Sequence, residues 1–206
     1  MAEMINIGMI NFSETMHKLN PYIKDSNFIL DYGCGTGDKT RIIKSFCTIK
    51  ENAIIIGYDV NPNNISFAKK KTEERKRNNI IYVSSIKELH TLMENYNIKN
   101  FDTILSTFVL HEAGDKIFNE IYPLLNDNGY LCIMDHDKKE IDKSIFIEYL
   151  TEADKEEIKA HNFNYVFKEH TKFGLDDCVY FAEKLGFKTE ETFSKDYFFT
   201  WIGKKK

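Results

Sequence analysis

The sequence predicts a doubly wound α/β domain with a mostly parallel, seven-stranded sheet that ends in an antiparallel C-terminal hairpin strand. Three observations carry that prediction. From residue 28 onward, short apolar runs alternate with longer amphipathic stretches, the rhythm of strand–helix units on a parallel sheet. The runs are dense in β-branched and aromatic residues, as strands are. Near the C-terminus two such runs are separated by only three residues, a link too short for a parallel crossover.

Each element follows in turn. Strands are expected at 28–32 (FILDY), 53–59 (AIIIGYD), 80–84 (IIYVS), 101–106 (FDTILS) and 129–135 (GYLCIMD). The first intervening helix should begin at Thr36 to Asp38. The second follows Asn61 and Pro62, where Asn61 can cap and Pro62 suits the first turn. A third covers about 86–95 and a fourth about 114–125, ending before the turn cluster Asn126-Asp127-Asn128-Gly129. The hairpin is formed by 187–193 and 197–203, joined by Ser194, Lys195 and Asp196.

The 206 residues, 42% hydrophobic and 29% charged, supply one substantial core, so the chain is expected to be a single domain over 1–206. Segments 1–27 and 136–173 stand outside the repeat and are expected to act as substrate lids over the carboxyl edge of the sheet, where open α/β sheets bind ligands. A net charge of −4 gives no overall attraction to nucleic acid or anionic lipid. The basic run KKKTEERKR at 69–77 reads as the solvated face of a helix. No apolar run reaches the ~20 residues that span a bilayer. With no signal-peptide pattern at its start, the chain is expected in the cytoplasm. Cys34, Cys47, Cys132 and Cys178 lack metal-site or disulfide-frame spacing and read as reduced packing residues.

The most informative segment is ILDYGCGTGD at 29–38: an apolar strand ending in Asp31, then Gly33, Gly35 and Gly37. Glycines at a strand-to-helix turn permit positive φ and close backbone approach. A dinucleotide loop would need glycine at 38, where this chain has Asp38, whose charge opposes a pyrophosphate; NAD and FAD are disfavoured. Asp31 suits a ligand cation such as an ammonium group, and Asp59, at the end of the second strand, stands where an acid accepts hydrogen bonds from ribose hydroxyls. A ribose-bearing cation satisfies both acids.

DYGCGTG followed by GYDVNP resembles the class I S-adenosylmethionine-dependent methyltransferases, in particular the small-molecule branch that includes ubiquinone/menaquinone methyltransferase-like proteins. The likeness covers about 28–135 and the terminal hairpin, and implies the Rossmann-like methyltransferase fold and S-adenosylmethionine as cofactor. By that resemblance Gly33, Gly35, Thr36 and Gly37 would underlie the methionyl part, Asp59 would bind the ribose, and Val60 would flank the adenine. Ser85 stands where the family often has an acid, Ile86 would be an adenine contact, and Ser106 and Thr107 at the end of the fourth strand would face the cofactor.

Methyl transfer from a sulfonium is an in-line displacement at an activated carbon, so the protein chiefly aligns, excludes water and, where needed, takes the acceptor's proton. His111 after the fourth strand and His136 after the fifth are the candidates to contact the acceptor or act as its base. His17, His90, His161 and His170 read as structural or surface residues. A metal among His111, Glu112, Asp135, His136 and Asp137 is set aside because the metal-dependent relatives carry an acid where this chain has Ser106; no metal is expected. STFV replaces the proline motif of relatives that methylate adenine or side-chain amides. Tyr22, with Phe146, Tyr149, Phe163, Tyr165, Phe167 and Phe173, could form an apolar acceptor pocket. The expected activity is methyl transfer to a small organic molecule; the rivals are an RNA or protein acceptor, or a cofactor-binding regulatory subunit without catalysis.

Overall fold

The computed structural model describes residues 7–75, 79–139, 142–150, 152–195 and 197–206. Seven strands form one sheet: β1 (Phe28–Tyr32), β2 (Ile54–Tyr58), β3 (Ile80–Val83), β4 (Phe101–Thr107), β5 (Leu125–His136), β6 (Phe187–Lys195) and β7 (Phe198–Lys205). They lie in the order β3-β2-β1-β4-β5-β7-β6. The pairs β1–β2, β1–β4, β2–β3 and β4–β5 are parallel, and β7 runs antiparallel to both β5 and β6. The expected sheet is therefore the observed one, with β7 as its one reversed strand.

Alternation along each strand sends neighbours to opposite faces, and each face has its own core. Leu30, Ile56, Ile104, Ile133 and Trp201 pack on one side with Leu89, Phe118 and Ala182. These last belong to α4 (Ile86–Asn95), α6 (Lys116–Ile121) and α10 (Leu175–Lys184). Ile29, Ile55, Leu105, Met134 and Ile202 pack on the other with Met16, Leu19, Ile43 and Ala68, from α1 (Ile7–Ile23), α2 (Asp38–Phe46) and α3 (Pro62–Glu74). The result is three layers, helix on sheet on helix.

Helix punctuation follows local chemistry. Asn61 caps α3 by accepting the Asn63 N–H, and Pro62 occupies its first turn. Ser85 caps α4 by accepting the Glu88 N–H, while Glu88 accepts the Ser84 N–H. Lys69 and Lys70 on α3 are exposed, as a solvated face requires; Lys76 and Arg77 lie outside the described residues.

Four expectations need correction. Segment 1–27 is in large part a core layer and not a cover: Phe12, Met16, Leu19 and Ile23 are fully buried, and Thr15 hydrogen-bonds Thr200 at 2.6 Å. The expected fourth helix is broken, because Gly114 at φ +65° ends α5 (Leu110–Ala113) before α6 begins and the chain continues into a 3-10 turn at Tyr122–Leu124. The turn cluster at 126–129 lies inside β5, bulging between the Phe101–Leu125 and Thr103–Tyr130 pairs. Asp102 holds that bulge by accepting from Asn126 Nδ2 at 2.9 Å and from the Asn27 N–H at 2.7 Å. The hairpin link is shorter than three residues, since β6 runs through Ser194 and Lys195 and the remaining Asp196 lies outside the described residues.

The segment after β5 forms three short helices, α7 (Lys143–Tyr149), α8 (Glu152–Ala160) and α9 (Phe163–His170). They have a small apolar centre of their own, Phe146 and Val166 with Leu150, Ile158, Phe163 and Phe167 around them. All four cysteines are free and buried, and no helix among the described residues is long and apolar enough to cross a membrane.

Gly57 in β2 sets the spacing beneath the loop that follows β1. A Cβ there would lie 2.5 Å from the Tyr82 ring and 3.0 Å from Cys34 Sγ. Neither neighbour is a flexible chain end, so Gly57→Ala is expected to destabilise the fold by about 1–3 kcal/mol through overpacking, read as a lower urea midpoint at unchanged slope.

Candidate functional site

The parallel strands β1, β2 and β4 end on one edge, and their ends are laced together. The N–H groups of Gly33 and Cys34 both donate to the Tyr58 carbonyl (2.8 and 2.9 Å), and Ser106 Oγ donates to the Tyr32 carbonyl (3.1 Å). Gly33, Gly35 and Gly37 all have positive φ (75°, 53° and 72°). At Gly33 a side chain would strike Val109, at Gly37 the Tyr82 ring, whereas beyond Gly35 there is open space. Gly35 is thus the point where something outside can approach the bare backbone.

Asp59, at the end of β2, accepts from the Gly35 N–H (2.8 Å) and the Asn61 N–H (2.9 Å), with Asn64 Nδ2 at 3.3 Å. Val60 and Ile86, at the neighbouring ends of β2 and β3, are apolar yet 75% and 46% exposed. Asp31 is 2% exposed and accepts from Thr40 Oγ1 at 2.5 Å. Burial pushes its carboxyl up to about 6, against the Thr40 hydrogen bond and the field of Lys39. Arg41, itself buried, donates to the Thr36 carbonyl at 2.8 Å and pairs with Asp38, which also accepts from Thr36 Oγ1. Asp38 therefore braces the loop and does not cap the helix with its side chain.

The edge thus brings together Asp31, Gly33, Gly35, Thr36, Gly37, Asp59, Val60 and Ile86. Three other expected cofactor contacts have hydroxyls placed less openly: Ser85 is spent as a helix cap, and Ser106 and Thr107 are buried.

The second half of the edge lies at the ends of β4 and β5. His111 sits on α5 with its ring Nδ1 2.7 Å from Asp135 Oδ1 and its own N–H donating to Asp135 Oδ2 at 3.2 Å. Burial works against a charged imidazole at His111, and Asp135 outweighs it, so its pKa is raised; the same pairing outweighs burial at Asp135 and lowers that carboxyl. His136 follows, packed among Phe198, Phe108 and Phe146 with ring centres 5.1–6.2 Å away. Burial, with repulsion from His111 and His170 and against the pull of Asp135, lowers it to about 4. It is therefore neutral at pH 7.

Three residues that the sequence reading missed belong here. His170, expected at the surface, is buried at the end of α9 with its ring centre 4.4 Å from that of His111. Its signal was the amphipathic spacing of α9, with Val166 and His170 four apart on the buried face. Lys39 holds its ammonium 4.5 Å from the Phe108 ring centre, and burial lowers its pKa against the fields of Asp31, Asp38 and Asp135. Phe108 has a left-handed backbone (φ +61°), an uncommon conformation for a bulky residue and one that no sequence pattern announces.

Tyr22 is the one proposed substrate contact that the structure removes. It stands near the C-terminal end of α1, its ring 5.0 Å from Tyr130, in a recess of about 440 Å³ with Asp25, Ser26 and Asp102. That recess is at the amino ends of β1 and β4, the opposite edge of the sheet. Phe146 and Phe167 pack together near His136 and His170, Phe163 adjoins them, and Phe173 packs on α10 instead. Tyr165 is exposed, and the side chain of Tyr149 lies outside the described residues.

Known proteins fit this geometry. A family model described as a methyltransferase domain matches residues 23–196. A demethylmenaquinone methyltransferase of Lactobacillus johnsonii is 26% identical over 137 residues, which make up 66% of this chain and 54% of that protein. The chain thus spans about half the length of the curated relative it matches. Among solved structures, a SAM-dependent methyltransferase from Aquifex aeolicus superposes with a TM-score of 0.64 at 17% identity, covering 93% of this chain and 88% of that one. An N-methyltransferase from Bradyrhizobium japonicum gives 0.62 at 13% identity, with 98% of both chains covered. Magnesium protoporphyrin IX methyltransferase from Synechocystis, solved with bound SAH, gives 0.61 at 14%, covering 97% and 84%. At such identities the structures speak for the fold, and the family model speaks for the lineage. With the strand order, the glycine loop and a match over most of its length in agreement, the chain belongs to the methyltransferase domain family.

Proposed function

We propose that this protein binds S-adenosylmethionine at the β1–β2–β3 edge and transfers its methyl group to a small organic molecule. The observation that carries the reading is the pairing of a loop open at Gly35 with two strand-end carboxylates, Asp31 and Asp59. The residues present suit the cofactor in charge and shape. Asp31 supplies negative charge for the ammonium end, reached directly or through water. Asp59 already holds the loop through Gly35 and has further acceptor capacity for ribose hydroxyls. Val60 and Ile86 offer the exposed apolar surface that a flat base would cover.

The bound cofactor supplies an activated methyl carbon; the chain's own tasks are to align, to exclude water and to handle a proton. His111 and His136 stand on the acceptor side, where they contact the acceptor or take its proton. Asp135 fixes His111 through Nδ1, which leaves Nε2 as the working atom. The aromatic rings of Phe108, Phe146 and Phe198 around His136 favour an apolar organic acceptor. A macromolecular acceptor would need a basic rim, and the cations at this edge are largely paired: Arg41 with Asp38, Lys138 with Asp177 and Lys139 with Asp176, with Lys39 against the Phe108 ring. The insert over 136–173 is the proposed substrate cover, and the chain is taken to act in the cytoplasm.

Isothermal titration calorimetry tests the cofactor assignment. S-adenosylmethionine and its demethylated product are expected to bind and NAD is not; binding of NAD alone would overturn the reading. Asp59→Ala is expected to weaken S-adenosylmethionine binding about 10- to 150-fold, the worth of charge-assisted hydrogen bonds at roughly 1.5–3 kcal/mol. Unchanged affinity in that variant would remove the ribose assignment.

Asp31 gives a second test because its binding and folding effects have opposite signs. Its folded-state pKa, about 6, lies above the ordinary 3.8, so stability from this group is fully present below pH 4 and is lost as pH rises through 6. The ionised form costs the free protein up to about 3 kcal/mol. Asp31→Asn is expected to raise the urea midpoint at pH 7, to flatten the loss between pH 4 and 6, and at once to weaken S-adenosylmethionine binding. A variant that is both less stable and equally good at binding would show that Asp31 is a structural residue.

A further inference from the structure

Beyond the nucleoside edge, three histidines from three elements meet above the end of β5. The ring centres of His111 (α5), His136 (β5) and His170 (α9) are 4.4, 5.5 and 5.9 Å apart pairwise. Imidazoles bound through nitrogen to one tetrahedral ion at ~2.0–2.1 Å have ring centres about 5.2 Å apart. Two sides of the triangle are near that value, and the His111–His170 side is shorter, with the rings tilted by 32°.

Two carboxylates complete the group. On α8, Asp154 and Glu157 are three residues apart and so share a face of the helix. His170 Nε2 is 3.4 Å from Glu157 Oε2 and 3.7 Å from Asp154 Oδ1, and the ligand atoms of all three lie within 4.8 Å of one another. Those separations exceed the ~2.7–2.9 Å of a charge-assisted hydrogen bond. They match the about 3.4 Å between two atoms bound at ~2.1 Å to one tetrahedral ion.

One further feature points the same way. Asp135 occupies Nδ1 of His111 and leaves Nε2, 3.7 Å from Glu112 Oε1, as the nitrogen free to bind a metal, the arrangement by which a carboxylate orients a metal-bound histidine.

We propose that His170, Asp154 and Glu157, joined by His111, whose ring centre lies 4.4 Å from that of His170, bind one divalent transition-metal ion in a four-ligand site, zinc being the ion best matched to mixed imidazole and carboxylate ligands. At the strand ends Ser106 stands where metal-dependent relatives carry an acid; the insert brings Asp154, Glu157 and His170 in its place. The ion would join the insert to the sheet beside His136, and proton handling at the acceptor would then fall to His136 and not to His111. The site stands independently of the cofactor reading.

Cobalt(II) titrated into the full chain without any nucleoside tests the site, because its visible d–d bands report a nitrogen–oxygen ligand shell directly. One cobalt per chain is expected, displaced by zinc. His170→Gln and Asp154→Asn, each checked for an unchanged circular dichroism spectrum, are expected to abolish the bands. Asp135→Asn, a positioning change, is expected to weaken cobalt about 10- to 100-fold. His161→Gln, on the exposed end of the same insert, should titrate like the parent chain. Absence of d–d bands in the parent chain, or parent-like titration by folded His170→Gln and Asp154→Asn, would establish that the cluster is a set of ion pairs and no metal site. Calorimetry with S-adenosylmethionine is a separate readout, so either reading can fail while the other survives.

Discussion

The hydrogen bonds that lace the ends of β1, β2 and β4 are the constraint on which the rest of the site depends. Two consecutive N–H groups, of Gly33 and Cys34, share the Tyr58 carbonyl, and Ser106 ties the Tyr32 carbonyl to β4. A loop so fastened cannot drift from the sheet, and its middle glycine is forced outward with its N–H turned to Asp59. Positive φ at three glycines is the cost of that path, and no side chain would fit at two of them. Recognition of a ligand by backbone needs such stiffness, since a mobile loop would lose in ordering entropy what it gained in hydrogen bonds.

The same edge holds its charge in an unfavourable place. Asp31 is buried with a hydroxyl from Thr40 as its direct hydrogen-bond donor and Lys39 as a nearby cation, too little to offset desolvation. Asp135, equally buried, is well compensated by His111 and by backbone N–H groups from His111 and His136. Two carboxylates at the same edge, on β1 and β5 with β4 between them, thus differ in how far their environment completes them. The incomplete one is suited to a ligand cation, and the complete one to orienting a histidine. Strain and unmet charge concentrate where function lies because the surrounding sheet is strong enough to hold them.

How much of this was legible in the sequence depended on whether the signal was local. Strand positions, the Asn61–Pro62 helix start and the glycine loop are written in runs of five to ten residues, and the structure has them where the sequence puts them. Apart from the helix break at Gly114 and the extent of β6, which are local, the failures involve partners far away in the chain. Tyr22 looked like a lid aromatic because segment 1–27 lacks the strand–helix rhythm, yet α1 packs as a layer, with Thr15 bonded to Thr200 across 185 residues. The cluster Asn126-Asp127-Asn128-Gly129 is a fair turn signal, but Asp102 and the Phe101–Leu125 pairing turn it into a bulge within β5. His170 was read as a surface residue since nothing near it in sequence says that α9 folds back on His111.

The insert explains why the two halves of the site differ in legibility. The half at the glycine loop is built from consecutive strands whose packing fixes the loops. The half at the ends of β4 and β5 is completed by α7, α8 and α9, which have an apolar centre around Phe146 and Val166 separate from either face of the sheet. A unit with its own centre can change in sequence without disturbing the layers beneath. It meets the sheet edge through ring contacts of His170 with His111 and His136 and of Phe146 with His136. Both histidines of the strand ends are thus held between the sheet and the insert, so a change in the packing of the insert reaches His111 and His136 directly.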